Sequence, residues 1–497
     1  MNEGTINRKY RHVFKNAGWC LLALLPWLTL LILSIASGHN CLDGRPFWSD
    51  EVDYWREIYS FSNASDGWFG YNGFDGYPAK IGTWGCHGIS PLLAYGLWSV
   101  IFGWTPSSIV ICNAVMCSAA FAIFCFLARP STVSTICIAL VWLLYPPILQ
   151  YAPSSMMEMP QYAGIIVYLG VVARMWKAER PSWLIIAFAW VVFMAGLRVS
   201  NVVFFIPLVL IGSNFRVCKR FWVLFAVAFV LFAASYLFFG VFNSGYPGGF
   251  LSSLADLGGA EAKASALATH AINNIQAFFA RGEGLPQVSQ RYAYFAVFVT
   301  CTAYAAWGHV KLGAEDQALA KAAATSAFTL GALWLIVVFA YDVFDWRDYR
   351  TLAPVLFAAL VALCLAASGK RGVFLRAGCV AFCALLLVGG WSAFPTSSAF
   401  EAGRYEKPAE APQSLSEADI APMGDEPQDR TIVLLDGWQP EWLWYGMPPE
   451  MGIVASTSSA GIPYSDAAYV GFPANKEAPS GYETVWQGED GAIAKRA

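Results

Sequence analysis

Charge is what this chain has least of. Only 13% of its 497 residues are Asp, Glu, Lys or Arg, against roughly 25% in soluble globular domains, and that scarcity excludes a water-soluble enzyme. Histidine is rarer still, with five in all, and the twelve cysteines fall into no ligand-spaced cluster, so no dedicated nitrogen–sulfur metal centre is indicated. A Gly-rich phosphate loop of the Walker type is missing, and no soluble domain is expected on the cytoplasmic side; together these argue against a user of ATP or of nucleotide sugars. No nucleic-acid partner is expected either. What fills the chain instead is apolar surface: 57% hydrophobic residues, 21 of them Trp.

The pattern is that of a mainly α, polytopic membrane protein. About eleven runs reach a length suited to transmembrane helices, near 18–37, 105–128, 132–148, 161–176, 183–197, 201–214, 221–241, 291–309, 322–340, 351–367 and 374–394. The first exceeds the roughly 7 to 15 apolar residues of a cleaved signal and is read as an uncleaved span. With the N-terminus inside, the cytoplasmic pieces hold 16 of the 31 Lys and Arg but only four of the 34 acids. They carry +12 and the remainder of the chain −15, which satisfies the positive-inside bias and places the protein in the plasma or inner membrane with its C-terminal part outside the cytoplasm. The apolar stretch 87–103, with its Pro, Gly and His, is read as an interfacial helix and not a span.

Residues 1–394 then form the membrane domain, with external loops 38–104, 145–161, 242–290 and 341–350. The Pro-rich, acidic segment 395–430 reads as a linker. Residues 431–497 read as a small extracytoplasmic α/β domain, with "TIVLLDG" (431–437) a strand and "ETVWQGEDGAIAKR" (483–496) a hairpin. Cys41 and Cys86 are the only cysteines in an external loop, where they either close a disulfide or stay as thiols. The segment 261–280 is amphipathic through Leu267, Ile275, Phe278 and Phe279, and is either a lid over a lipid groove or a helix resting on the surface. "NAS" (63–65) matches a glycosylation sequon, a pattern frequent by chance.

One external edge concentrates acid: "RPFWSDEVDYW" (45–55) carries Asp50, Glu51 and Asp53. Asp50 can cap a short helix whose first turn favours the carboxylates that follow it, or it can serve chemistry. Val52, Trp55 and Tyr59 repeat at helical spacing, which predicts a helix lying along the membrane with its aromatic face down. Opposite charge sits at external span ends: Arg198, Arg347 and Arg350. Each can pair with a local acid, snorkel to head groups or bind a phosphate. Glu158 opens a span, where a charge must face protein or water.

The order "DEVDY" (50–54), "HGISPLLAYGLWSVIFG" (87–103), "SSMMEMPQ" (154–161), "GLRVSN" (196–201) and "WRDYRTLAP" (346–354) resembles the membrane-embedded glycosyltransferase C superfamily. It is most similar to the protein O-mannosyltransferase and lipid A aminoarabinose transferase group. Two positions depart from it: "SSIVICN" (107–113) lacks an Arg that some relatives carry, and Glu158 stands where relatives often have Asp.

The resemblance implies inverting transfer of one sugar from a polyprenyl-phosphate donor to a lipid, protein or envelope-glycan acceptor on the external face. Asp50 is then the candidate base and Glu51 its catalytic neighbour. Tyr54, His87, Glu158, Arg198, Arg347 and Arg350 are candidates for holding substrate or phosphate, though His87 serves equally as a helix cap. A divalent cation held by Asp50 and Glu158 is an open alternative. The rival class is a transporter, flippase or polymerase for lipid-linked sugars. It fits less well, because ionisable residues lie at span ends and no internal repeat is visible.

Overall fold

The structure is a computed structural model. It describes residues 3–63, 73–74, 89–177, 181–241, 250–279, 285–311, 317–340, 350–367, 369–389, 398–407, 431–438, 440–449, 451–455 and 467–497. In chain order the elements begin with α1 (Glu3–Ser37), α2 (Ser49–Asn63), β1 (Gly73–Phe74), α3 (Ser90–Phe102), α4 (Ser108–Ala128), α5 (Thr132–Leu144) and α6 (Pro146–Tyr151). They continue with α7 (Glu158–Lys177), α8 (Pro181–Leu197), α9 (Phe205–Gly212), α10 (Lys219–Val241), α11 (Phe250–Asp256), α12 (Ala260–Phe279) and α13 (Leu285–Lys311). Then come α14 (Gln317–Ala340), α15 (Ala353–Ala366), α16 (Gly369–Gly389), β2 (Thr431–Leu434), α17 (Glu441–Gly446), β3 (Gly452–Ala455), β4 (Tyr469–Pro473), β5 (Tyr482–Gln487) and β6 (Gly491–Arg496).

Among the described residues, helices fall within every stretch expected to span. Five are long and apolar enough to cross a bilayer: Gly18–Ser37, Ser108–Ala128, Lys219–Phe238, Gln317–Ala340 and Gly372–Gly389. Several other apolar helices, such as Thr132–Leu144 and Ala353–Ala366, are shorter. Large apolar side chains stand exposed along these helices, among them Ile35 (75%), Phe126 (70%), Leu237 (67%) and Phe374 (79%). Apolar surface on that scale belongs in lipid, and the protein is an integral membrane protein. The segment read as interfacial is α3, whose 13 residues cover about 20 Å at 1.5 Å each.

The chain divides into two compact units: residues 1–42, 110–233 and 249–401, and residues 43–109, 234–248 and 402–497. The first is helical. Its buried polar groups are tied off locally. Trp142 Nε1 donates to Thr29 Oγ1 at 2.9 Å, and Tyr145 hydroxyl donates to the Ala353 carbonyl at 2.8 Å. Arg376 donates to the Cys364 carbonyl (3.0 Å), to Ser134 Oγ (3.0 Å) and to the Ala367 carbonyl, so a cation closes the carboxyl end of α15. α12 is bound to α14, since Asn274 Nδ2 donates to the Val337 and Val338 carbonyls at 3.2 and 3.1 Å and Phe278 meets Trp334 edge-on.

The second unit holds a sheet of order β1-β3-β2-β4-β6-β5. β1, β3, β2 and β4 are parallel neighbours; β6 and β5 form the antiparallel hairpin. Alternation sorts the side chains: Ile432, Leu434, Ile453, Tyr469 and Ile493 pack with Leu443 and Trp444 of α17, whereas Val433 and Val454 pack apart from them with Ala467. Trp438 lies over Gly471 and Gly491, where an added Cβ would come within 2.7 and 2.3 Å of its ring. The strand expected at 431–437 runs over 431–434 and gives way to a turn at 436–437, the hairpin expected at 483–496 is present, and a short strand from the first loop, β1, joins the sheet.

Candidate active site

In the second unit the acidic segment opens α2. Glu51 is fully buried and accepts from the backbone N–H of Phe47 and Trp48, both at 2.9 Å, which closes the helix start. Arg404 grips the same carboxylate with both arms, Nη1 to Oε1 at 3.1 Å and Nη2 to Oε2 at 2.9 Å, and is itself fully buried. The forked guanidinium matches a carboxylate in geometry as well as charge. Arg404 Nη1 also donates to the Arg45 carbonyl at 2.9 Å, while the Arg45 side chain donates to the Gly403 carbonyl. Both oxygens of Glu51, expected as the catalytic neighbour of Asp50, are committed to the start of α2 and to Arg404.

Asp50, one residue earlier, is half-buried. Asp53, one turn on, is half-buried too, and its carboxyl is pushed up to about 7, first by burial and then by the negative charge of Asp50. Tyr54 and Trp55 are buried. The aromatic face of α2 does not lie on lipid as its spacing predicts. Val52 packs against the core of the sheet, and Trp55 stacks on Tyr59 with ring centroids 5.0 Å apart and meets Tyr445 at 4.8 Å. Arg56, fully buried, donates to the Met447 carbonyl (2.8 Å), the Pro448 carbonyl and the Met451 carbonyl (2.9 Å), fixing α2 to the chain after α17.

In the first unit Glu158 begins α7 and is 2% exposed. Arg198, just beyond α8, donates Nη1 to Glu158 Oε1 at 3.3 Å and Nη2 to Thr351 Oγ1 at 2.9 Å. Arg350 precedes Thr351 and is half-buried. Two expected members, Glu158 and Arg198, thus meet in one unit, and Thr351, beside the expected Arg350, joins them. Tyr162, one turn along α7, is buried with its hydroxyl unmatched by any hydrogen-bond partner among the described residues.

His87, Arg347 and Cys86 lie outside the described residues. Cys41 is buried, its N–H donating to Ser34 Oγ at 2.9 Å. Of the two candidate cation ligands, Asp50 and Glu158, the second already has an oxygen on Arg198. Among the described residues no group of three or more His, Cys, Asp or Glu is placed to hold a metal ion. Arg404 and Arg56 carry no signal in the sequence that would mark them, Arg404 because it begins a stretch that looks like linker.

No protein-family model and no curated protein matches the chain. Solved structures similar to it include the following two. One is the crystal structure of ArnT from Cupriavidus metallidurans bound to undecaprenyl phosphate, 10% identical over 95% of this chain and 97% of that one, with a TM-score of 0.39. The other is the apo state of the same protein, 13% identical over 96% and 98%, with a TM-score of 0.40. A likeness this distant assigns neither an activity nor a substrate to the chain.

Proposed function

We propose that the protein is an integral-membrane glycosyltransferase of the C superfamily, moving one sugar from a polyprenyl-phosphate donor to a hydroxyl or amine acceptor on the external face. The observation that carries this reading is the anchored start of α2: Glu51 is held by Arg404 and two backbone N–H groups, and that hold fixes the helix turn that carries Asp50. The ordered motifs around it supply the substrate class.

In the reaction, the acceptor oxygen or nitrogen attacks the anomeric carbon as the bond to phosphate oxygen breaks, so the configuration inverts. Asp50 takes the acceptor proton, a contribution typically worth about 10²- to 10⁴-fold. Polyprenyl phosphate leaves with the bonding electrons, and no acid is required for so good a leaving group, unlike the two-carboxylate glycosidases. Arg198 and Arg350 are assigned to the phosphate, whose growing charge a guanidinium stabilises. Glu158 orients Arg198 through the 3.3 Å pair.

The test is transfer of radiolabelled sugar from a panel of polyprenyl-phosphate monosaccharides into membrane acceptors, wild type against Asp50→Asn at equal abundance. Loss of roughly 100-fold or more in the variant is expected. Undiminished transfer removes Asp50 from the mechanism, and absence of transfer with every donor turns the reading toward a transporter of lipid-linked sugars.

A further inference from the structure

A polar cavity lies in the first unit, at helix ends far along the chain from the acidic segment. It encloses about 260 Å³ among the ends of α7, α8, α9, α10 and α14, with Arg220, Lys321 and Asn214 on its polar side and Trp176, Leu184 and Ile211 on its apolar side. Among the described residues no carboxylate pairs with Arg220 or Lys321; the Lys321 ammonium lies 6.0 Å from the centre of the Phe215 ring. The carboxyl end of α9, which would otherwise present bare carbonyls to an anion, is closed on itself. Phe215 N–H donates to the Leu210 carbonyl at 2.7 Å and Asn214 N–H to the Ile211 carbonyl at 3.0 Å, a Schellman turn with Asn214 in the left-handed region at φ 53°.

Charge and surroundings agree on an occupant. Two cations at one mouth suit a phosphodiester. Directly beyond Arg220, α10 turns a strip of apolar side chains outward, Trp222 (58% exposed), Phe225 (50%) and Phe229 (60%), on which acyl chains can lie. A free anion would use the first feature and waste the second. Basic pockets at helix ends recognise lipid head groups by this combination.

We propose that the cavity bounded by Arg220, Lys321 and the 213–215 turn is a binding site for the head group of an anionic glycerophospholipid, whose acyl chains lie along the outward face of α10. The site is independent of the transferase reading and serves the protein in any role.

The test follows the thermal midpoint of the full-length protein in mixed micelles titrated with phosphatidylglycerol or with phosphatidylcholine. At about 1 kcal/mol per basic residue, two cations give a preference for phosphatidylglycerol of roughly 30-fold in half-saturating concentration. Arg220→Gln with Lys321→Gln should reduce it below about threefold, and Arg220→Gln alone should leave about fivefold. Arg216→Gln with Lys219→Gln removes the same charge from positions that do not line the cavity and should keep the full preference. An equal loss in that pair overturns the site in favour of a diffuse surface field. A midpoint shift of the same size from inorganic phosphate alone overturns the lipid as occupant, and an unchanged preference in the cavity double variant overturns the proposal outright.

Discussion

Asp53 offers the sharpest test of the electrostatics around α2. Its carboxyl moves from 3.8 to about 7 on folding, roughly three units, and at 1.36 kcal/mol per unit that is about 4 kcal/mol. The sign follows from which state holds the proton. Below pH 4 both states are protonated and Asp53 costs nothing. Between pH 4 and 7 the unfolded chain ionises while the folded one keeps its proton, so stability falls as pH rises through the folded value; above pH 8 the whole loss is present. Asp53→Asn is nearly isosteric and cannot ionise. Thermal unfolding in detergent, followed by tryptophan fluorescence, should therefore give matched midpoints for wild type and variant near pH 4 and a variant that is the more stable by up to about 4 kcal/mol at pH 8. A difference between the two proteins that stays constant from pH 4 to 8 would falsify the burial of this carboxyl.

Other perturbations probe separate contacts. Arg404→Gln leaves the buried Glu51 carboxylate without its fork and should cost about 3–5 kcal/mol, read as a lower thermal midpoint and a poorer yield of folded protein. Gly491→Ala drives a methyl into the Trp438 indole and should cost roughly 1–3 kcal/mol, with the loss visible in the fluorescence of the second unit. Asn274→Ala strips α12 of its two donations to α14 and should speed hydrogen exchange over 260–279 while leaving exchange in α4 and α7 unchanged. Arg198→Gln should lower transfer and raise the donor concentration needed for half the maximal rate, whereas Arg198→Lys, keeping charge but not the fork, should recover only part of both.

The helices are legible in the sequence because a bilayer demands long apolar runs. Glu158 and Arg198 are legible as well, since charge beside a span is costly and stands out. The partner of Glu51 is not: Arg404 is 353 residues away and opens a segment whose Pro and acid content look like tether. The face of α2 escapes the pattern for a different reason. Spacing shows that Val52, Trp55 and Tyr59 share a covered side, but lipid and protein cover an aromatic side equally well, and only the fold shows that Tyr445 and the core of the sheet do it. In the sequence Asp53 is one acid in a row of three, and its shift depends on burial that a linear pattern does not encode.

The Glu51–Arg404 pair also sets a timetable for making the protein. α2 leaves the ribosome 353 residues before the arginine that neutralises it, which at 5–20 residues per second is a wait of roughly 20 to 70 s. Arg56 waits longer still for the carbonyls of Met447 and Met451. For that interval the Glu51 carboxylate has the neighbouring N–H groups of Phe47 and Trp48 but not its counter-charge, so the acidic segment reaches its final form only when synthesis is almost finished. A nascent chain arrested before residue 402 would carry a nearly complete helical unit and an unassembled α2. The segment that bears Asp50 is thus among the last to reach its final form although it is among the first to be made.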